Sequence, residues 1–465
     1  MTKNAAKEYR HFIEKYLLPL LGISNDNIEK YIGEFKGNAI VQENNYIFFS
    51  TNSETVYKIN CVRKLSTEDL NLAQSVISFF FKVAEYRMDN KGIAHKYYSS
   101  IQKDSNYEMA IQKGICSWII GTNNDDVEKL LRTLEKWSVQ TYEGKNVTLG
   151  FVIDPNAKSN FEGAYGSFKN FIRDDFSAVF TDCIQSVIEL DDHCEFCRYL
   201  SITETGAIED CKLTKRVPVR FSNVIQKYIT DSKVGIFLLN NGDIILSKNQ
   251  EVRFVKRNLK WLNMSYEAFR NVLDDFITKN NIQDSLVEDI YASMLDVSFS
   301  HTGGIISVIN DVSLLTKEDK DGFPILHKCD FLLDSSTYNE LYQFFKDENK
   351  KYKECGSDHL VITEKDIKKR ILKRIAIDSF IQNKSFGQLD RKLRSELISL
   401  DGACILTSSG QVCSCGAIIK NDSGSSGGGR GAASKKLSRF GVAIKISTDG
   451  YIELFIKGVL KYSIK

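Results

Sequence analysis

The chain has 465 residues, of which 42% are apolar and 26% charged, and its formal net charge is +2. That balance supports cores of ordinary size in two or three domains, and it excludes a protein built mainly to neutralise a nucleic-acid backbone, so no nucleic-acid polymer is expected as partner. Met1 is followed by Thr-Lys-Asn-Ala-Ala-Lys-Glu, and no run of about 18 apolar residues occurs, so a cytoplasmic chain without a membrane span is expected.

The first half reads as an α/β pattern. An amphipathic helix carries Phe12, Tyr16 and Leu20 on one stripe and ends or kinks at Pro19. Short strands are expected over 39–41, 46–50 and 55–59, then a helix over 69–85 with Leu72, Val76, Phe79, Phe80 and Val83 on its apolar face. Residues 116–120, 125–137 and 148–153 read as strand, helix and strand. Asp154 then stands at the C-terminal end of a strand, where an α/β domain places ligand contacts; capping the turn before Pro155 is the simpler reading. Further helical and strand pieces are expected over 168–176 and 180–188. His193, Cys194 and Cys197, with Cys183 and Cys211 nearby, could form a zinc site or a redox pair, but the second pair lacks CxxC spacing and ordinary free cysteines are the preferred reading; most of the eleven cysteines are expected as reduced thiols.

A boundary is expected near 212–220, where Lys212, Lys215, Arg216 and Pro218 interrupt the apolar pattern. The resulting division is an α/β accessory domain, 1–212, and a second domain, 216–465. Residues 234–239 and 244–247 flank Asn241-Gly242 and read as a β-hairpin, with a third strand over 251–257 anchored by Trp261; these are assigned to the second domain. Helices follow over 266–279 and 285–298, and 347–356 reads as a polar loop. Lys368, Lys369, Arg370, Lys373 and Arg374 decorate a helix whose other face is apolar, which reads as a solvated basic face.

The last 65 residues carry the chemistry. Leu389, Leu393, Leu397 and Leu400 recur at helical spacing, then Asp401-Gly402 precedes a buried strand over 403–407. A carboxylate at such a junction is held rigidly yet can face a cleft. The run Ser423 to Ser434 places three glycines ahead of Arg430, where backbone N–H groups can approach an anion closely. Residues 442–447, Asp449-Gly450 and 452–456 read as strand, tight turn and strand. Cys413 and Cys415 are expected to share one face of a strand. Nine Lys/Arg against four Asp/Glu over 401–465 make this stretch locally basic.

His301-Thr302-Gly303-Gly304, Asp401-Gly402-Ala403, Gly428-Gly429-Arg430-Gly431-Ala432-Ala433 and Ser447-Thr448-Asp449-Gly450 occur in an order that resembles the diadenylate cyclase domain family. The resemblance covers about 285–465 and implies a mixed-sheet domain with flanking helices, preceded here by a separate α/β accessory, sensory domain. Where that family carries Arg-His-Arg, this chain has Arg430-Gly431-Ala432, or, aligned on the Ala-Ala pair, Arg430 at the His position. The resemblance implies a nucleotidyltransferase that joins nucleoside triphosphates, ATP foremost, into a di- or oligonucleotide messenger such as cyclic di-AMP, in bacterial stress or anti-phage signalling. It implies Asp401 as the catalytic carboxylate and ligand of Mg²⁺ or Mn²⁺, Asp449 as a second acid, and Gly402, Ala403, Gly427, Gly428, Gly429, Arg430 and Ser434 as nucleotide contacts. It also implies a homo-oligomer, since two protomers each present one nucleotide. A catalytically silent nucleotide sensor with the same fold is the alternative, and a structural or interaction module the third reading.

Overall fold

In a computed structural model, the structure describes residues 3–23, 28–31, 40–51, 55–61, 64–89, 100–121, 125–142, 145–156, 186–190, 196–202, 208–210, 229, 232–317, 325–327, 330–333, 336–354, 356, 361–381, 383–419 and 428–465. They form a mixed α/β chain in two compact units, Met1–Ala268 with Ile464 and Phe269–Ser463 with Lys465.

The first unit holds an antiparallel four-stranded sheet in the order Ile28–Tyr31, Thr55–Asn60, Tyr46–Thr51, Ile40–Glu43. Its second sheet has eight strands, in the order Ile208–Asp210, Phe196–Ile202, Ser186–Leu190, Leu149–Ile153, Val234–Leu238, Ile244–Lys248, Glu251–Arg257, Lys260–Asn263. Only 149–153 and 186–190 run parallel within it. The hairpin at Asn241-Gly242 is present, with Gly242 at φ 86, but its first strand pairs with 149–153. The strands from 234 to 263 therefore belong to the first unit, and the division falls at 268/269 rather than at 212–216. Local turn chemistry shows that a hairpin forms; it does not reveal which sheet takes up its free edge.

The stretch expected as a strand at 116–120 is the last turn of a helix, Ser100–Ile120. Tyr107, Ala110, Ile111, Ile115, Cys116 and Ile119 are all buried at helical spacing, so the longer period overrides the short apolar run. Residues 347–354, expected as loop, end the helix Tyr338–Glu354, which Leu341 and Phe345 anchor. His193, Cys194, Cys183 and Cys211, the 168–176 element and most of 180–188 lie outside the described residues; Cys197 falls in the strand Phe196–Ile202.

The second unit is built on a six-stranded sheet in the order Val412–Ala417, Ala403–Thr407, Gly304–Ile309, Gly441–Ile446, Ile452–Ile456, Val459–Ile464. The strand 304–309 is parallel to 403–407 and antiparallel to 441–446. One face packs Ile305, Ile309, Ile405 and Ala443 against Ala433 and Leu437 of the helix Gly428–Leu437. On the other, Leu273, Ile277, Val287 and Ile290 enclose a small apolar cavity with Ile306, Val308, Val442 and Ile444. This alternation along each strand is what a sheet covered on both sides requires.

Candidate functional site

The register fixes where the chemistry-bearing segments meet. Ile306 lies beside Cys404 and Gly304 opposite Ile446. The starts of 304–309 and 403–407 and the end of 441–446 thus share one end of the sheet, with neighbouring strands ~4.8 Å apart. His301-Thr302-Gly303, Asp401-Gly402 and Ser447-Thr448-Asp449-Gly450 all lie at that end.

Three tethers hold it. Ser298 of the helix Asp284–Phe299 donates to the Gly450 carbonyl at 2.5 Å. Thr302 Oγ1 lies 3.1 Å from Ser300 Oγ and 2.7 Å from Ser399 Oγ. Ser399 closes the helix Arg391–Ser399 and donates to Ser395 O at 2.8 Å, so this hydroxyl chain joins two helix ends just before Asp401. The turn at 447–450 closes with Gly450 N to Ser447 O, 2.9 Å, and Tyr451 N to Ser447 Oγ, 3.1 Å.

Arg430 reaches this end from the first turn of the 428–437 helix. A Cβ on Gly303 would lie 3.2 Å from Arg430 Cζ and 3.0 Å from Thr448 N. Gly303, at φ +70, therefore serves twice: it adopts a left-handed conformation and leaves room for a guanidinium. Arg430 is half-buried, and among the described residues it makes no hydrogen bond or ion pair. Gly428 and Gly429 are exposed, and a Cβ on either would meet open space. The glycine run ahead of Arg430 is helical from Gly428 onward, because Ala433 and Leu437 seat that segment on the sheet; Gly427 lies outside the described residues.

Asp401 is exposed, and among the described residues its carboxylate has no hydrogen bond or ion pair. Asp449 is likewise exposed. Gly402 is closed: at φ +114 its missing Cβ would lie 2.6 Å from both Gly416 O and Ala417 O, so the backbone of the adjacent strand occupies that space. Ala403 and Ser434 are both 0% exposed. The structure therefore brings Arg430 to the Asp401 end of the sheet with Asp449, and buries Ala403 and Ser434, while Gly402 stays partly exposed.

Two lysines were missed as site residues. Lys373, read as part of a solvated face, donates to Gly416 O at 2.9 Å, and a Cβ on Gly416 would lie 3.1 Å from Asp401 O. Lys373 precedes Gly416 by 43 residues, so no sequence period signals the contact. Lys445 stands opposite Ile305, on the face that the 428–437 helix covers. A cation at the inward position of the alternating run 441–446 is the signal that could have found it. Cys413 packs in the apolar cluster, whereas Cys415 Sγ lies 3.7 Å from Cys404 Sγ; register shifts beside Ala403 and Ile405 break the shared face expected for Cys413 and Cys415. Burial pushes the Cys413 thiol up to about 12, so it is an inert core thiol.

Asp154, the other strand-end carboxylate, is buried; it accepts from Asn156 N at 2.9 Å and pairs with Lys233 at 3.2 Å. It caps its turn.

No protein-family model and no curated protein matches the chain.

Proposed function

We propose that the second unit binds a nucleoside triphosphate at this end of its sheet and transfers the nucleotidyl group to a second nucleotide, as the resemblance to diadenylate cyclases implies. The observation that carries the reading is Arg430: a half-buried guanidinium, facing Gly303 and Thr448, with no counter-ion among the described residues. A cation that no protein group has paired is available to a ligand, and a planar five-donor fork suits phosphate oxygens.

In the proposed reaction a 3′-oxygen attacks the α-phosphorus, an O–P bond forms, and the bond to pyrophosphate breaks. Arg430 neutralises charge that develops on the phosphates, and Asp401 accepts the hydrogen bond of the attacking hydroxyl and takes its proton. A divalent ion, Mg²⁺ or Mn²⁺, would supply a lowered hydroxyl pKa and charge neutralisation. Among the described residues no group of three or more His, Cys, Asp or Glu is gathered to hold a metal. The single exposed carboxylate of Asp401 fits an ion whose remaining ligands are phosphate oxygens and water. Two protomers facing each other would bring the two nucleotides together.

A second reading is a nucleotide-binding regulator without turnover. The burial of Ala403 and Ser434 favours it, since it removes two of the contacts that the resemblance implies. Incubation of the full chain with all eight ribo- and deoxyribonucleoside triphosphates and Mn²⁺, followed by mass spectrometry, separates the two. A di- or oligonucleotide product supports transfer; bound but unchanged triphosphates support the regulator.

A further inference from the structure

Arg430 is the single cation that the glycine-rich segment retains, and the two positions after it hold Gly431 and Ala432. Charge lost from one element can be supplied by another that packs on it. A Cβ on Gly431 would lie 3.9 Å from Lys445 Nζ, so the ammonium of Lys445 occupies the space beside the residue after Arg430. Lys445 and Ser447 lie two residues apart on one strand line, a span of roughly 7 Å. Arg430 lies across Gly303 and Thr448, at the far end of that same line.

The charge on Lys445 is held in a triad. Lys445 Nζ is 2.7 Å from Glu453 Oε2, and Lys465 pairs with the other oxygen of the same carboxylate. Two cations share one anion. Glu453 stands directly across the strand pair from Lys445, which orients the ammonium without a second helix or loop. Gly431 puts no side chain over Lys445, whose side chain stays 18% exposed; a Cβ there would stand 3.9 Å from the ammonium.

We infer that Lys445 is a second phosphate-contacting cation of this site, standing in for the loop ligands that Gly431 and Ala432 do not supply, and that Glu453 is the carboxylate that phosphate competes with for it. The inference rests on the triphosphate-binding reading above and names a residue and a regulator of its affinity. Lys445 acts as a point charge on a terminal phosphate, while Arg430 makes the directional pair.

The test is calorimetric binding of ATP and of inorganic tripolyphosphate to the full chain. Lys445→Met is expected to weaken both about tenfold and to leave adenosine binding unchanged, while Lys445→Arg restores most of the loss. Glu453→Gln is expected to strengthen tripolyphosphate binding about threefold, because it frees Lys445 from its intramolecular competitor. A purely structural ion pair predicts the opposite sign for Glu453→Gln, since a damaged strand pair binds no better. Unchanged affinity in folded Lys445→Met, with Arg430→Ala still weakening ATP, overturns the role of Lys445 and spares the nucleotide reading. Failure of the wild-type chain to bind either polyphosphate overturns both. Lower affinity in Glu453→Gln with an unchanged unfolding temperature overturns the competition.

Discussion

The two units each place an aspartate at the end of a strand, and the two carboxylates have opposite fates. Asp154 follows the strand 149–153, is buried, and is consumed by Asn156 N and Lys233. Asp401 precedes the strand 403–407, is exposed, and has no hydrogen bond or ion pair among the described residues. Position at a strand end is common to both, so position alone does not mark a site. What separates them is whether the local chain has already satisfied the charge.

Substitution by the neutral isostere at each site separates the two carboxylates most strongly. Asp401→Asn is expected to lower product formation at least about a hundredfold, the scale of several kcal/mol in transition-state stabilisation, with the unfolding temperature unchanged. Asp154→Asn should leave turnover intact. Retention of more than about a tenth of the wild-type rate by Asp401→Asn contradicts the assignment.

Next in size is Gly402→Ala. Its left-handed φ and the backbone of Gly416 and Ala417 leave no place for a methyl group. The variant is expected to destabilise the sheet by about 2–4 kcal/mol, read as faster hydrogen exchange in 403–407 and 412–417. This would confirm that the glycine serves strand packing rather than ligand access. Asp154→Asn comes third, with about 1–2 kcal/mol lost from the tie to Lys233. Trp118, Trp137 and Trp261, the three tryptophans of the chain, all lie in the first unit and report it by fluorescence.

The smallest effect is on pH. Burial acts to raise the Glu453 pKa, but hydrogen bonds from Lys445 and Lys465 outweigh it and hold the carboxyl below its ordinary value of 4.5. Its stabilising contribution is therefore complete above 4.5 and is lost as pH falls through the depressed folded value. Glu453→Gln should flatten that acid limb of the stability curve, measured by denaturant midpoints between about pH 3 and 6.

Much of the sheet end was legible from local signals. The strand, Asp449-Gly450 turn and strand over 441–456, and the helix-to-strand junction at Asp401, appear where periodicity and turn chemistry put them. What was illegible depends on contacts between distant residues. The helix from Gly428 exists because Ala433 and Leu437 dock on Ile305 and Ala443, against the poor helix propensity of its glycines. The closure of Gly402 depends on Gly416, and the reach of Arg430 on Gly303, 127 residues earlier by subtraction of their positions. The strand pair at 234–248 was visible, but its choice of the 149–153 edge was not.

The central claim is that Arg430 awaits a phosphate. Calorimetry of the wild-type chain and Arg430→Ala with nucleoside triphosphate, monophosphate and nucleoside tests it directly. Arg430→Ala is expected to weaken triphosphate binding by about 2–4 kcal/mol, Arg430→Lys to recover only part, and nucleoside to bind both forms equally weakly. Equal triphosphate affinity in wild type and Arg430→Ala would contradict it.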